Sequence, residues 1–224
     1  MGKNSYDLDS GACLDIVSPP AILHHMKEIV QDGEPVLGEI AKPVPEEMFG
    51  TEELSRLIKD MEEALDKELE GVALAAPQIG VPYRLFIVRV DRTLPPPAPN
   101  TEGQTLHTDS KGLTLKPAPT SEVGAPTKSV GEIAVYINPE IIKTSRKRAD
   151  VDEGCLSVRG IYGTTKRHER VTIRARRPDG SSFERGGGGL MAQIFEHEID
   201  HLNGTLFIEH AKNLFRIDHD HEPS

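Results

Sequence analysis

The sequence of 224 residues contains no tryptophan, and aromatic residues make up only 4% of it. Proteins that hold single-stranded nucleic acids generally stack the bases on aromatic side chains, so such a platform is not expected here. Basic residues are also fewer than acidic ones: the chain has 26 Lys and Arg residues and 36 Asp and Glu residues, which gives a formal net charge of −10. Direct DNA binding is not expected either, because a duplex-binding surface needs clustered cations to neutralise phosphates.

Long apolar runs and a recognisable leader are also missing. No run approaches the roughly 18 apolar residues that mark a membrane-spanning helix, so no membrane partner is expected. The first residues carry Asp7, Asp9 and Asp15 and lack the basic start and apolar run of a secretory signal. The two cysteines, Cys13 and Cys155, are too few for a disulfide framework. These features predict a cytoplasmic protein.

Apolar and charged residues are present in ordinary globular proportions, 37% and 28%, and the length suits one domain. Thr51 and the two glutamates after it predict the start of a helix, whose apolar residues keep helical spacing as far as Leu69. Strands are predicted over 84–90, 132–138, 141–144 and 171–177, with a hairpin leading to 181–184, and a second helix over 190–202. The expected fold class is α+β, with small antiparallel sheets packed around the C-terminal helix.

Two segments lack a core-forming pattern. Residues 92–132 contain seven prolines among Gly, Thr and Ser. Such composition buries too little apolar surface to offset the entropy of ordering, so we expect a long, flexible, Pro-rich insertion in a single domain of residues 1–224. From about residue 212 the chain is expected to form a tail.

The late helix contains the pattern HExxH, with His197, Glu198 and His201. Residues four apart share one helical face, so both imidazoles can reach one ion, and Glu198 lies about 100° around the helix from His197. Two histidines beside a carboxylate suit metal-assisted hydrolysis. The pattern alone is also compatible with an amphipathic helix that carries two exposed histidines.

Two further segments help to distinguish a metal site from an amphipathic helix with two exposed histidines. A catalytic metal site needs a third protein ligand, and Cys155 lies 42 residues before His197 in the sequence EGCLS. A lone cysteine is also compatible with a small buried hydrophobe or with a nucleophile. Upstream, GVALAAPQIG combines small residues with the amide of Gln78, which suits either a tight connection or a backbone rail for an extended ligand.

The segments GVALAAPQIG, EGCLS and QIFEHEIDHLNG occur in this order, and together they resemble the three motifs of peptide deformylase. The resemblance covers about residues 15–90 and 132–210. It implies a metal-dependent hydrolase that removes the N-formyl group from the initiator methionine of newly made polypeptides and releases formate. The implied partners are formyl-Met nascent peptides and, transiently at most, the ribosome, because the chain lacks the basic C-terminal helix by which some members dock there.

The resemblance also implies roles for individual residues. Cys155, His197 and His201 match the ligands of one divalent metal ion, which in this family is typically Fe²⁺ and is often replaced by Zn²⁺, Ni²⁺ or Co²⁺ in preparations. Glu198 matches the acid/base, and Gln78 and the backbone N–H of Leu156 match the donors to the oxyanion. The matching substrate and support positions are Val72 and Ala73 (backbone pairing), Val72, Val151, Leu190 and Ile194 (methionine pocket), and Glu153 with Arg167 (structural ion pair).

Four positions depart from the family pattern: Ala73 replaces Gly, Glu196 replaces Gln, Arg159 stands where Pro is frequent and Tyr162 where some members have Arg. None removes a ligand, a donor or the base, so they bear on efficiency and peptide preference.

Two other functions remain open on the sequence. A zinc peptidase of the HExxH class would take its third ligand downstream, where Glu209 and His210 are available. A non-catalytic metal-binding or peptide-binding module would need neither Glu198 nor Gln78.

Overall fold

The computed structural model describes residues 28–93 and 133–217. The predicted insertion, apart from residues 92 and 93, therefore lies outside the described residues. The helices and strands of these two ranges are, in chain order, α1 (Glu52–Asp66), β1 (Ala73–Ala75), β2 (Leu85–Arg89), β3 (Ile133–Thr144), β4 (Arg148–Cys155), β5 (Val158–His168), β6 (Arg170–Arg176), β7 (Ser182–Gly188), α2 (Leu190–Leu202) and β8 (Lys212–Arg216).

Helix α1 begins where the sequence predicts it. The Thr51 side chain accepts a hydrogen bond from the backbone N–H of Leu54 at 3.3 Å, which satisfies one of the free donors of the first turn. The apolar face of the helix is buried, with Met61 and Leu65 fully inaccessible. The helix ends at Asp66, earlier than predicted, and Leu69 lies beyond it with 89% of its surface exposed.

Five strands form one antiparallel sheet in the order β1-β2-β3-β6-β7. The two strands predicted over 132–138 and 141–144 are one strand, β3, whose pairing with β6 is interrupted by two irregularities of register. Asn138, at positive φ, lies at the first irregularity, and its side chain bonds the backbone of Val44 at 2.8 and 2.9 Å. The predicted β6–β7 hairpin is confirmed, with Gly180 at a φ of 84° in its turn.

A second antiparallel sheet has the order β4-β5-β8. The tail predicted from about residue 212 is instead a strand over its first residues, because β8 pairs with the edge of β5 and Phe215 stacks on Tyr162 with ring centroids 5.9 Å apart. All five residues of β8 are exposed, so the strand has no apolar alternation by which its sequence would reveal it.

Helix α2 packs against the five-stranded sheet. Phe195 on the helix contacts Phe86 and Tyr136, and all three are buried. Gly187 on β7 makes this approach possible: a Cβ there would lie 2.7 Å from the Met191 side chain and 3.0 Å from Phe195. The sheet thereby fixes the position of the helix that carries the HExxH pattern.

Candidate metal centre and substrate cleft

The three predicted metal ligands meet in space. Cys155 ends β4, and His197 and His201 lie one turn apart on α2. Their ligand atoms all lie within 4.8 Å of one another, and the Cys155 Sγ atom is 3.1 Å from His201 Nε2. A thiolate and two imidazoles are donors that Zn²⁺ and Fe²⁺ accept, so these residues fit one divalent transition metal.

A buried carboxylate orients the first histidine. Glu153 Oε1 lies 2.7 Å from His197 Nδ1, which leaves the other ring nitrogen, Nε2, for a metal. Arg167 donates to both oxygens of Glu153, at 2.8 and 3.2 Å, and Thr165 donates to one of them. The predicted Glu153–Arg167 ion pair is thus present, and Arg167 also reaches Asp200 on α2 at 2.6 Å.

Glu153 is ionised in this setting. Burial alone raises the pKa of a carboxyl group, but the hydrogen bonds and charges of His197 and Arg167 outweigh it and lower the pKa of Glu153 to about 2. Both partners of the ion pair are buried, so the charge of each depends on the other.

The two histidines differ in protonation. Burial lowers the pKa of His201 well below its usual range, which favours the neutral imidazole that binds metal. Burial also lowers the pKa of His197, but hydrogen bonds to Cys155 and Glu153 outweigh it and raise the pKa well above the usual value. A cation at the three ligand atoms competes with that proton, because metal ligation requires the deprotonated ring nitrogen.

Glu198 is buried beside the ligands and lines the cleft described below. Its Oε2 atom has no hydrogen-bond partner among the described residues, and the same holds for Nδ1 of His201. Burial raises the pKa of the Glu198 carboxyl to about 7. A carboxyl group with such a pKa and a free oxygen is suited to taking up and releasing a proton near neutral pH.

The Gln78 amide is fixed at both ends. Its Oε1 accepts from the backbone N–H of Ala75 at 2.8 Å, and its Nε2 donates to Ser157 Oγ at 3.2 Å and lies 3.5 Å from Cys155 Sγ. Ser157 is fully buried, and its backbone N–H also points to the Cys155 sulfur at 3.4 Å. The motif EGCLS does not show which side chain the Ser157 hydroxyl meets, so this contact with Gln78 is visible only in the structure.

A cleft of about 630 Å³ opens onto these groups. Its lining includes Leu156, the two predicted rail residues Val72 and Ala73, and the two predicted pocket residues Leu190 and Ile194.

The structure places Val151 elsewhere, in a separate cavity of about 390 Å³. Gln193 borders both cavities, and its side chain donates to the backbone carbonyl of Asp152, the neighbour of Val151, at 2.8 Å. Of the four residues predicted for the methionine pocket, Val72, Leu190 and Ile194 therefore line the cleft and Val151 does not.

The two downstream residues that could supply the third ligand of a zinc peptidase make contacts away from the metal ligands. Glu209 accepts a hydrogen bond from the backbone N–H of Leu206 at 2.6 Å, and His210 lies 3.8 Å from Asp200. Neither belongs to the group of ligand atoms around Cys155.

A Cys/His/His donor set and a buried carboxylate in one cleft are the groups of a metal-dependent hydrolase. The family model of polypeptide deformylase matches residues 26–216. The chain belongs to the peptide deformylase family, the enzymes that remove the N-formyl group from the initiator methionine of newly made polypeptides.

Individual relatives agree with this assignment. The chain is 35% identical over 190 residues to the peptide deformylase of Carboxydothermus hydrogenoformans, covering 84% of this chain and 95% of the relative. It is 31% identical over 192 residues to the chloroplastic peptide deformylase 1A of Solanum lycopersicum, covering 85% of this chain but only 62% of that longer protein. A class I type b peptide deformylase from Acinetobacter baumannii, solved with Met-Ala-Ser bound, superposes with a TM-score of 0.60 at 29% identity, covering 81% of this chain and 97% of that one.

Proposed function

We propose that this chain, as one catalytic domain, hydrolyses the formyl amide of formyl-methionyl peptides with Cys155, His197 and His201 as metal ligands and Glu198 as the acid/base. The observation that carries the proposal is the convergence of three ligand atoms within 4.8 Å beside a buried carboxylate with a free oxygen. A purely structural metal site has no use for such a carboxylate, so a non-catalytic module accounts for the arrangement less well.

The reaction assigns one task to each group. A bound metal supplies a Lewis acid that lowers the pKa of a water molecule towards neutrality. Glu198 takes the proton of the attacking water and passes it to the departing amine nitrogen. The Gln78 Nε2 hydrogen that is not donated to Ser157, together with the Leu156 backbone N–H, donates to the formyl oxygen as it gains negative charge, where one such donor contributes about 3–4 kcal/mol.

The substrate backbone is assigned to the open edge of β1. Among the described residues this strand ends the five-stranded sheet, and only β2 pairs with it. Val72 and Ala73 line the cleft, which favours an added peptide strand along this edge. The methionine side chain then enters the apolar pocket of Val72, Leu190 and Ile194. The Acinetobacter enzyme, which was solved with Met-Ala-Ser bound, supports a peptide that begins with methionine as the ligand.

Fe²⁺ is proposed as the native metal, with Zn²⁺, Ni²⁺ or Co²⁺ able to take its place in preparations. One thiolate and two imidazoles are compatible with each of these ions, so the choice depends on metal supply as well as on the site.

The proposed location is the cytoplasm, where nascent formylated peptides leave the ribosome. The acidic balance of the chain supports a contact with the ribosome that is transient at most, and no direct contact with DNA. Within the two described ranges, no helix combines the length and the apolar character needed to cross a membrane.

The decisive experiment measures formate release from formyl-Met-Ala-Ser by protein loaded with one Fe²⁺ or Ni²⁺ per chain under exclusion of oxygen. We expect stoichiometric formate and a free methionine amine. Cleavage of the Met–Ala bond instead of the formyl amide would support the peptidase, and metal binding without either product would support the non-catalytic module.

A further inference from the structure

The cleft has an outer part that the proposed reaction leaves unassigned. Its inner end holds the metal ligands and Glu198, and its apolar pocket is taken by methionine under the proposed function, on which this inference rests. Most of the remaining lining comes from the loop after α1 and from the start of β5, and it includes Glu68, Leu69, Arg159 and Tyr162. The residues that follow methionine in a substrate therefore lie against this outer part.

An ion pair joins the two walls there. Arg159 Nη2 donates to Glu68 Oε1 at 2.6 Å and Arg159 Nη1 donates to Glu68 Oε2 at 3.0 Å, a bidentate arrangement between residues 91 positions apart. Arg92 donates to the backbone carbonyl of Glu68 at 2.8 Å, which fixes the loop behind the carboxylate. Hydrogen bonding from Arg159 lowers the pKa of Glu68, so the pair is charged at neutral pH.

The two members of the pair are not equally accessible. The Arg159 side chain is 55% exposed and the Glu68 side chain only 20%. Both carboxylate oxygens of Glu68 are engaged with Arg159, whereas a guanidinium has five N–H donors and only two of them serve Glu68. A peptide in the outer part of the cleft can therefore accept hydrogen bonds from the Arg159 N–H groups that Glu68 does not use. The ion pair with Glu68 already holds the guanidinium in position.

We propose that Arg159, held in place by Glu68, is a specificity-determining residue that favours formyl-methionyl peptides with an acidic side chain at one of the two positions after methionine. Lys67, Glu70 and Asp152 also line the cleft and act on the same side chains. Arg159 and Lys67 differ in the rotamer entropy that they lose on binding a carboxylate. The Arg159 guanidinium is already fixed by its bidentate partner, so it loses little when it binds a carboxylate in the same plane. The carboxylates of Glu70 and Asp152 repel an acidic side chain of the substrate. If this repulsion outweighed the attraction by Arg159, the enzyme would prefer a basic side chain instead.

The test compares amidated tripeptides that differ only in charge: formyl-Met-Glu-Ala and formyl-Met-Ala-Glu with their Gln and Lys counterparts. For the wild-type enzyme at low salt we expect kcat/KM to be about twofold to fivefold higher for Glu than for Gln at one of the positions, the size typical of an exposed ion pair. High salt should reduce the ratio towards one.

Three variants decide which residue is responsible. In Arg159→Gln the Glu-to-Gln ratio should fall to about one, and in Arg159→Glu the Lys peptide should become the better substrate. Arg174→Gln is the matched control, because Arg174 also forms an exposed pair, with Glu184, but outside the cleft lining; it should keep the wild-type ratio. Because each ratio is taken within one variant, partial loss of folded enzyme does not change it.

A wild-type preference for Lys, a ratio near one at both positions, or a ratio that survives Arg159→Gln would overturn the specificity role while formate release continued to support the deformylase. Failure of the wild-type enzyme on every formyl peptide would instead overturn the proposed function, and this inference with it.

Discussion

The inner and outer ends of the cleft are both organised by an Arg–Glu pair, and the two pairs differ in burial. Arg167 and Glu153 have side chains 7% and 3% exposed, whereas Arg159 and Glu68 are 55% and 20% exposed. A buried charge depends on its partner, because removing one member leaves the other without solvation, while an exposed pair contributes little to stability. The inner pair therefore belongs to the machinery that fixes His197, and the outer pair is suited to tuning which peptides bind.

The largest effect is expected from removing a ligand at the inner end. Cys155→Ala leaves two imidazoles, too few for a catalytic site with three protein ligands, so metal content and formate release should both fall close to zero. Metal analysis after desalting measures the first and a formate assay the second. Cys13→Ala, which removes the other cysteine, is the control and should keep both. Full occupancy in Cys155→Ala would point to a different third ligand.

The next effect is a loss of rate without a loss of metal. Glu198→Ala removes the proposed proton carrier and none of the proposed ligands, so kcat should drop by at least about 10²–10⁴-fold while metal content stays near one per chain. Glu196→Gln is the matched control: Glu196 is a buried carboxylate on the same helix, but it binds the backbone N–H and Nδ1 of His168. Near-normal turnover in Glu198→Ala would remove this residue from the mechanism.

An intermediate effect should come from the inner ion pair. Glu153→Gln keeps the shape of the side chain but removes the charge that faces both Arg167 and His197. Metal affinity should weaken by about 10–100-fold, the usual cost of losing a partner that orients a ligand. Competition with a chelator gives the affinity, and thermal unfolding shows whether the fold is weakened as well.

Glu184→Gln serves as the comparison for Glu153→Gln, because its exposed pair with Arg174 predicts no measurable change in metal affinity. Equal effects in the two variants would contradict the distinction between buried and exposed pairs on which the comparison of the two cleft ends rests.

The smallest effect concerns the apolar pocket. Replacing methionine by norleucine in formyl-Met-Ala-Ser exchanges the sulfur for a methylene, and the three residues proposed for the pocket, Val72, Leu190 and Ile194, have apolar side chains that do not distinguish the two. One methylene is worth only about 1–3 kcal/mol in such a pocket, so kcat/KM should change by less than tenfold. A larger loss would indicate a specific contact to sulfur.

Much of the inner end could be read from the sequence, because its determinants are local. The spacing of His197 and His201 on a helix is sufficient to place both on one face, and Thr51 and the Pro178-Asp179-Gly180 turn likewise act over a few residues. The sequence does not reveal strands β4 and β5, which position Cys155, Glu153 and Arg167, because their exposed faces carry charges and neither strand shows a clear apolar period.

The sequence by itself therefore determined the ligand types, the helix that carries two of them and the family to which the three motifs point. Only the tertiary structure decided which side chains complete the site: Ser157 against Gln78, Asp200 against Arg167, Val151 outside the cleft, and Arg159 against Glu68 across its mouth. The reason is physical. A helical period or a turn is fixed by neighbours in the chain. These contacts instead join residues 33 to 91 positions apart, and the place of Val151 depends on which cavity its side chain faces. Both are set only when the sheets pack.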